Sequence, residues 1–129
     1  MKPEKFFKEM YYNIWQSHDL KRISEFYSED FEETISTSDE YKKPIELHLT
    51  YADLVKQAHW QQQHYRDTTL DIRKITVSAD DHIAVVFYSS SIDKKTGELR
   101  HRHVSGIWRL NQVNKIDYVW AVVTPYYRL

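Results

Sequence analysis

Between Pro3 and Gln16 the apolar residues Phe6, Phe7, Met10, Tyr11, Ile14 and Trp15 recur at spacings of three and four, with mostly charged or polar residues between them. That period gathers them on one face of a helix, and Pro3 suits its first turn. Ser17-His18-Asp19 interrupts the pattern and offers Ser17 or Asp19 as a cap for a new helix. This shorter helix, over about 19–28, buries Leu20, Ile23, Phe26 and Tyr27. Phe31–Ile35 reads as a short strand, Ser36–Lys43 as an exposed loop, and Pro44–Leu49 as an extended edge segment. The charges at Glu29, Asp30, Glu32 and Glu33 read as a solvated corner between helix and strand. Thr50 followed by Asp53 has capping-box spacing. It opens a helix over about 51–66 that buries Tyr51, Leu54, Val55 and Ala58, with His59 and Gln62 at its margin.

From Leu70 onward the period changes to two. Leu70 and Ile72 alternate in one phase, Ile75 and Val77 in the other, which predicts a β-bulge at Arg73-Lys74. Ala79–His82 is a turn, Ile83–Asp93 a strand, and Lys94–Gly97 a hairpin turn with Gly97 placed for a positive φ. The last element is a long hairpin, Arg100–Leu110 and Lys115–Val123, linked at Asn111–Asn114. Alternation puts Arg102, Val104, Gly106, Trp108 and Leu110 on one face of its first strand and His101, His103, Ser105, Ile107 and Arg109 on the other. The second strand splits into Asp117, Val119, Ala121, Val123 and Ile116, Tyr118, Trp120, Val122. Neither strand has a plainly solvated face. Helices on one side of the sheet and a partner subunit on the other are therefore expected.

Composition narrows the classes. A chain of 129 residues is expected to be a single domain, 1–129. Aromatics make up 15%, with ten Tyr and four Trp, which suits a thick core or a ligand cavity. Formal net charge is -1 and no run of Lys or Arg occurs, which argues against a nucleic-acid partner. Without cysteine there is no disulfide or thiolate chemistry. The charged N-terminus resembles no signal peptide, and no stretch has the length of a membrane span, so a cytoplasmic protein without a membrane partner is expected.

Ile14-Trp15-Gln16-Ser17-His18-Asp19-Leu20-Lys21-Arg22-Ile23, then Phe26-Tyr27-Ser28-Glu29-Asp30-Phe31, resemble the helix, break and first strand of the nuclear transport factor 2-like superfamily. Gly106–Leu110 and Lys115–Trp120 resemble its last hairpin. Members include SnoaL-like polyketide cyclases, ketosteroid isomerases and scytalone dehydratase. The resemblance spans nearly the whole chain and implies an α+β roll. In that fold a cone-shaped, curved, mixed but mainly antiparallel sheet packs on three helices, with a pocket at its open end and often a homodimer through the outer face. It places Tyr11 where ketosteroid isomerases keep an oxyanion-hole tyrosine. Their general base and their protonated acid fall at about Ile35 and Gly106, and the cyclases' acidic residue falls near Ala121. Steroid isomerisation is therefore not expected, since proton transfer beside a carbonyl needs a base in reach.

These readings converge on a small hydrophobic organic ligand handled by cofactor-free acid/base chemistry, with a non-catalytic binding or dimerising domain as the alternative. Tyr11, His59 and Asp117 are the catalytic candidates. Trp15, Val55, Tyr88, Arg102, Val104, Trp108, Val119 and Ala121 are the expected pocket lining. His103, Ile107, Tyr118, Trp120 and Val122 are the expected homodimer surface. Arg102 would hold a ligand carboxylate. Asp117 has an alternative as the ion-pair partner of Arg109 or Lys115. His101 and His103 share a strand face, but sequence supplies no third ligand, so they read as a solvated or interfacial pair and not a metal site.

Overall fold

A computed structural model of the chain describes residues 2–39 and 42–124. Helix α1, Pro3–Tyr11, widens into a π-helical turn, Tyr12–Gln16, closed by the Ser17 N–H donating to the Tyr12 carbonyl at 2.8 Å. A 3₁₀ turn, Leu20–Arg22, leads into the short α2, Ile23–Phe26. Strand β1, Tyr27–Ser38, is much longer than the Phe31–Ile35 stretch expected, and it takes in Tyr27 and Ser28 from the expected helix. Strand β2, Pro44–Thr50, forms the edge and pairs antiparallel with β1. Helix α3, Tyr51–His64, starts with the predicted capping box: the Thr50 N–H donates to the Asp53 carboxylate and the Asp53 N–H to the Thr50 hydroxyl.

The remaining strands are β3 (Tyr65–Arg66), β4 (Asp71–Val77), β5 (His82–Asp93), β6 (Leu99–Leu110) and β7 (Ile116–Val123). They complete a seven-stranded sheet in the order β2-β1-β7-β6-β5-β3, with β4 also paired to β5. The β1–β7 pair is parallel and the other pairs are antiparallel, so the sheet is mixed in the expected way. The predicted bulge is present as a register shift between Ile72 and Lys74.

Helices cover one face of the curved sheet. There Phe7 of α1 meets Trp108 edge-on at 4.9 Å between ring centroids, and Tyr11 meets Phe87 at 5.2 Å. Edge-to-face rings of this kind add to the burial of their large apolar area. On β5 the inward residues are Ile83, Val85, Phe87, Ser89 and Ser91, all buried. The two serines form a polar layer at one end of the core. The Tyr11 hydroxyl donates to Ser89 Oγ at 3.1 Å, and Ser91 Oγ lies 2.7 Å from Thr68 Oγ1, which in turn accepts from Gln61 Nε2.

Alternation along β7 does not predict a second bulge, yet one is present. Arg109 pairs with Tyr118 but Leu110 pairs with Ile116, so Asp117 is an extra residue in β7. The slip carries Ile116 into the core, where it is fully buried, although simple alternation puts it on the outer face.

Candidate small-molecule cavity

A cavity of about 60 Å³ lies between α1, the π-helical turn, α3 and the inner faces of β1, β5, β6 and β7. Its apolar wall includes Met10, Leu54, Phe87, Val104, Trp108 and Ala121; its polar groups are Tyr11, Trp15, Tyr27, Glu33, Gln57 and Arg102. A space of this size holds a few waters or part of a small organic molecule.

The expectation of a solvated corner at Glu33 is corrected by the structure. On β1 Glu33 alternates with Phe31 and Ile35, both buried, and it stands opposite Val119 of β7 and Leu49 of β2. Strand pleat therefore turns it into the cavity. Among the described residues its carboxylate makes no hydrogen bond or ion pair. Burial pushes its pKa up to about 7, against the opposing charge of Arg102. Arg102 reaches the same cavity from β6, on the face shared with Val104 and Trp108, and its register partner is Ser89.

The phenols complete the polar side. Tyr27 donates to Met10 Sδ at 3.3 Å and is hydrogen-bonded by the Trp15 side chain. Burial first, and the charge of Glu33 next, raise its pKa above the ordinary phenol range, so it stays neutral. The set comprises a carboxyl that titrates near neutrality, a permanent cation and neutral hydroxyls, all in an aromatic chamber. Such a carboxyl can take a proton from a bound carbon acid, while a guanidinium steadies the oxygen on which charge develops.

Of the residues expected at the pocket, Tyr11, Trp15, Arg102, Val104, Trp108 and Ala121 line the cavity. Val119 lies buried in the core beside it, and Val55 is half-buried against that core; neither lines the space. Three others lie elsewhere. His59 is exposed, because the buried stripe of α3 runs through Leu54, Ala58 and Gln61, and the position after Ala58 turns to solvent. Tyr88 points outward from β5, between inward Phe87 and Ser89, and stacks on His103 at 4.0 Å with the Arg73 guanidinium 4.2 Å from its ring centre. Asp117, displaced by the β7 bulge, accepts from Arg109 Nε at 2.7 Å. Arg109 lies over the Tyr118 and Trp120 rings of the outer face, so Asp117 is drawn there too. Reading the Phe31-x-Glu33-x-Ile35 alternation through would have found Glu33. Nothing in the sequence distinguishes Gln57 from its polar neighbours on α3.

On the outer face Ile107, Trp120 and Val122 are 40%, 40% and 61% exposed and lie on adjacent strands. Tyr118 stacks on Trp120 at 4.1 Å, and His103 is exposed on the same side. Among the described residues no group of three His, Cys, Asp or Glu side chains is placed to hold a metal ion, and no helix is long and apolar enough to cross a membrane.

A curved, mainly antiparallel sheet with three helices over one face and an aromatic cavity between them is the nuclear transport factor 2-like fold. Solved structures of that fold superpose on most of the chain. A protein from Acidithiobacillus ferrooxidans assigned as a polyketide cyclase matches at TM-score 0.72 and 11% identity, over 95% of this chain and 88% of its own. IdmH from Streptomyces antibioticus, assigned in the same way, matches at TM-score 0.69 and 17% identity, over 95% and 92%. A Catenulispora acidiphila protein with a ketosteroid isomerase-like fold, solved with trimethylamine, matches at TM-score 0.66 and 12% identity, over 100% and 88%. No family model and no curated protein matches the sequence.

Proposed function

We propose that this protein binds a small, largely hydrophobic organic molecule in the cavity and moves a proton on it without a cofactor, as an isomerase, cyclase or dehydratase would. The observation that carries this reading is the Glu33 carboxyl inside an aromatic chamber beside Arg102. Glu33 takes the role expected of His59 and Asp117. It removes a proton from the carbon next to a carbonyl, the electron pair moves onto the carbonyl oxygen, and Arg102 holds the resulting enolate. Tyr11, bonded to Ser89, positions the wall and does not itself transfer the proton.

The test is solvent-deuterium exchange at the α-carbon of cyclohexanone and acetophenone, monitored by proton NMR. Wild type is expected to speed exchange, with a rate that climbs with pH and levels off above about pH 7 as Glu33 ionises. Glu33→Gln should lose roughly a hundredfold or more. Binding without exchange would favour the second reading, a non-catalytic ligand-binding domain. The hydroxyl of the buried Tyr11, engaged by Ser89, is the observation on that side. We further propose that two copies pair through the outer face of β6 and β7, since Ile107, Trp120 and Val122 make a contiguous apolar patch there.

A further inference from the structure

We infer that the paired copies are related by a two-fold axis that runs along the strands between β6 and β7, so that Glu46 at the β2 edge of one copy meets the partner's Lys74 at its β4 edge. This rests on the proposed pairing through the outer face and adds the direction of its axis.

Strand register sets the outer face in straight rows. One row runs Glu46, Ser36, Val122, Ser105, Val86, Lys74 across β2, β1, β7, β6, β5 and β4, and it lines a groove of about 520 Å³. In the next row Trp120 of β7 stands beside Ile107 of β6. Strands lie about 4.8 Å apart, so the row's midpoint falls between Val122 and Ser105, with its charged ends about 12 Å to either side.

Sheets packed face to face keep their strands within about 30° of each other. Two axes through the midpoint allow this, one along the strands and one across them. An axis along the strands exchanges the halves of each row. It sets Glu46 over the partner's Lys74, Val122 over the partner's Ser105 and Trp120 over the partner's Ile107. An axis across the strands sets Glu46 over the partner's Glu46 and Lys74 over the partner's Lys74. Interfaces avoid such like-charge juxtaposition and match opposite potentials instead. Elsewhere on this face Arg73 bonds Asp71 and Arg109 bonds Asp117, each within the chain. Lys74 is exposed and makes no ion pair among the described residues. Glu46 is exposed too; its Oε1 lies 2.9 Å from His48 Nε2 of its own strand, which leaves the second oxygen for a cation. The exposed Glu32, in the row of Tyr118 and Arg109, comes over the partner's His82 in the same arrangement. Acids of the β1–β2 half thus meet bases of the β4–β5 half, and only an axis along the strands brings them together.

The experiment is sedimentation of the full chain at low salt and about pH 8, where an ordinary imidazole is neutral. Glu46→Lys and Lys74→Glu should each raise the dimer dissociation constant roughly tenfold, because two symmetric pairs become repulsive. The two reversals together should return it to within about threefold of wild type, since the pairs are restored with their signs exchanged. Glu46→Gln should weaken the dimer; with an axis across the strands it would tighten it, because a repulsion is removed. A second measurement uses the absence of cysteine from the chain. A mixture of Glu46→Cys and Lys74→Cys chains should be joined into covalent dimers by a short bis-maleimide, and neither variant alone should be. Single reversals without effect, a double reversal that stays weak, or crosslinking of Glu46→Cys alone overturns this axis and leaves the outer-face dimer standing. A wild type that sediments as a monomer at micromolar concentration overturns both.

Discussion

Glu33 of β1 and Arg102 of β6 enter one cavity from strands that are not neighbours, with β7 between them, and the Arg102 charge opposes the burial that lifts the Glu33 pKa to about 7. The arrangement costs stability. A carboxyl whose pKa is raised in the fold holds its proton more tightly folded than unfolded. The folded state therefore loses stability as pH rises from the unfolded value of 4.5 through about 7. Glu33→Gln should stabilise the protein at about pH 8, on the order of 2 to 3 kcal/mol, and change little at about pH 4.5. Thermal denaturation at both pH values checks this; equal shifts at the two would mean the carboxyl is solvated. A variant more stable but inactive would fit a site that gives up stability for function.

Asp117 serves as the contrasting acid. Its partner Arg109 is 40% exposed at the side chain, and the pair lies on the outer side of the β7 bulge. Asp117→Asn should cost no more than about 1 kcal/mol, as a partly exposed ion pair does. It should leave the exchange rate unchanged. A hundredfold loss of exchange in Asp117→Asn would return the acid to the site and displace Glu33.

Gly106 is required by close approach. A Cβ there would stand 2.8 Å from the Trp120 carbonyl oxygen and 3.0 Å from the Trp108 ring. The carbonyl is part of the β7 backbone, which is in register with β6 here, so moving it shifts the strand pair. Gly106→Ala should destabilise by about 1 to 3 kcal/mol in chemical denaturation. Because Trp108 also lines the cavity, deuterium exchange should slow with it.

His18 adds an opposite pH dependence. It takes a positive φ of 56° in the link after the π-helical turn, and neither ring nitrogen has a hydrogen-bond partner among the described residues. Burial, and secondarily the charge of Lys94, lower its pKa. The unfolded chain thus binds the proton better, and stability falls as pH drops through the unfolded value of 6.5. His18→Asn keeps a residue that tolerates this backbone. It should flatten the acid limb of a stability-against-pH curve between about pH 7 and pH 5. An unchanged limb would assign acid sensitivity to other groups.

Local rules were readable where they act on neighbours in the chain. The Thr50–Asp53 box, the Arg73–Lys74 bulge and the positive φ of Gly97 each arise from a few adjacent residues. The cavity was partly legible, because Tyr11, Arg102, Val104 and Trp108 keep the phase their strands and helix give them. The β7 bulge escaped because an extra residue beside a turn leaves no mark on alternation, and with it Asp117 and Ile116 changed faces. Glu33 escaped because four acids within five positions read as solvent-facing, whereas β1 runs through that segment and sets Glu33 inward with Phe31 and Ile35 while Glu29, Asp30 and Glu32 stay exposed. Tyr88 was misplaced because β5 is apolar on both faces, and only its register against β6 decides which face is inside.

The homodimer is the remaining expectation. Ile107 stands opposite Trp120, Ser105 opposite Val122 and Arg109 opposite Tyr118, so one continuous outer surface carries Ile107, Trp120, Val122 and Tyr118. Helices occupy the other face, so nothing in the described chain covers this one. Soluble monomers seldom leave a large contiguous apolar patch in water. A two-fold axis through the patch would bury the same residues from both copies, with Trp120 near its centre and His103 toward its rim. Sedimentation at micromolar concentration should give twice the 15.6 kDa chain mass. Trp120→Glu places a charge in each half of the interface and should yield monomers that keep the native circular dichroism and the deuterium-exchange activity, since Trp120 does not line the inner cavity. A wild type that sediments as a monomer removes the dimer, and a Trp120→Glu variant that remains dimeric moves the interface to another face.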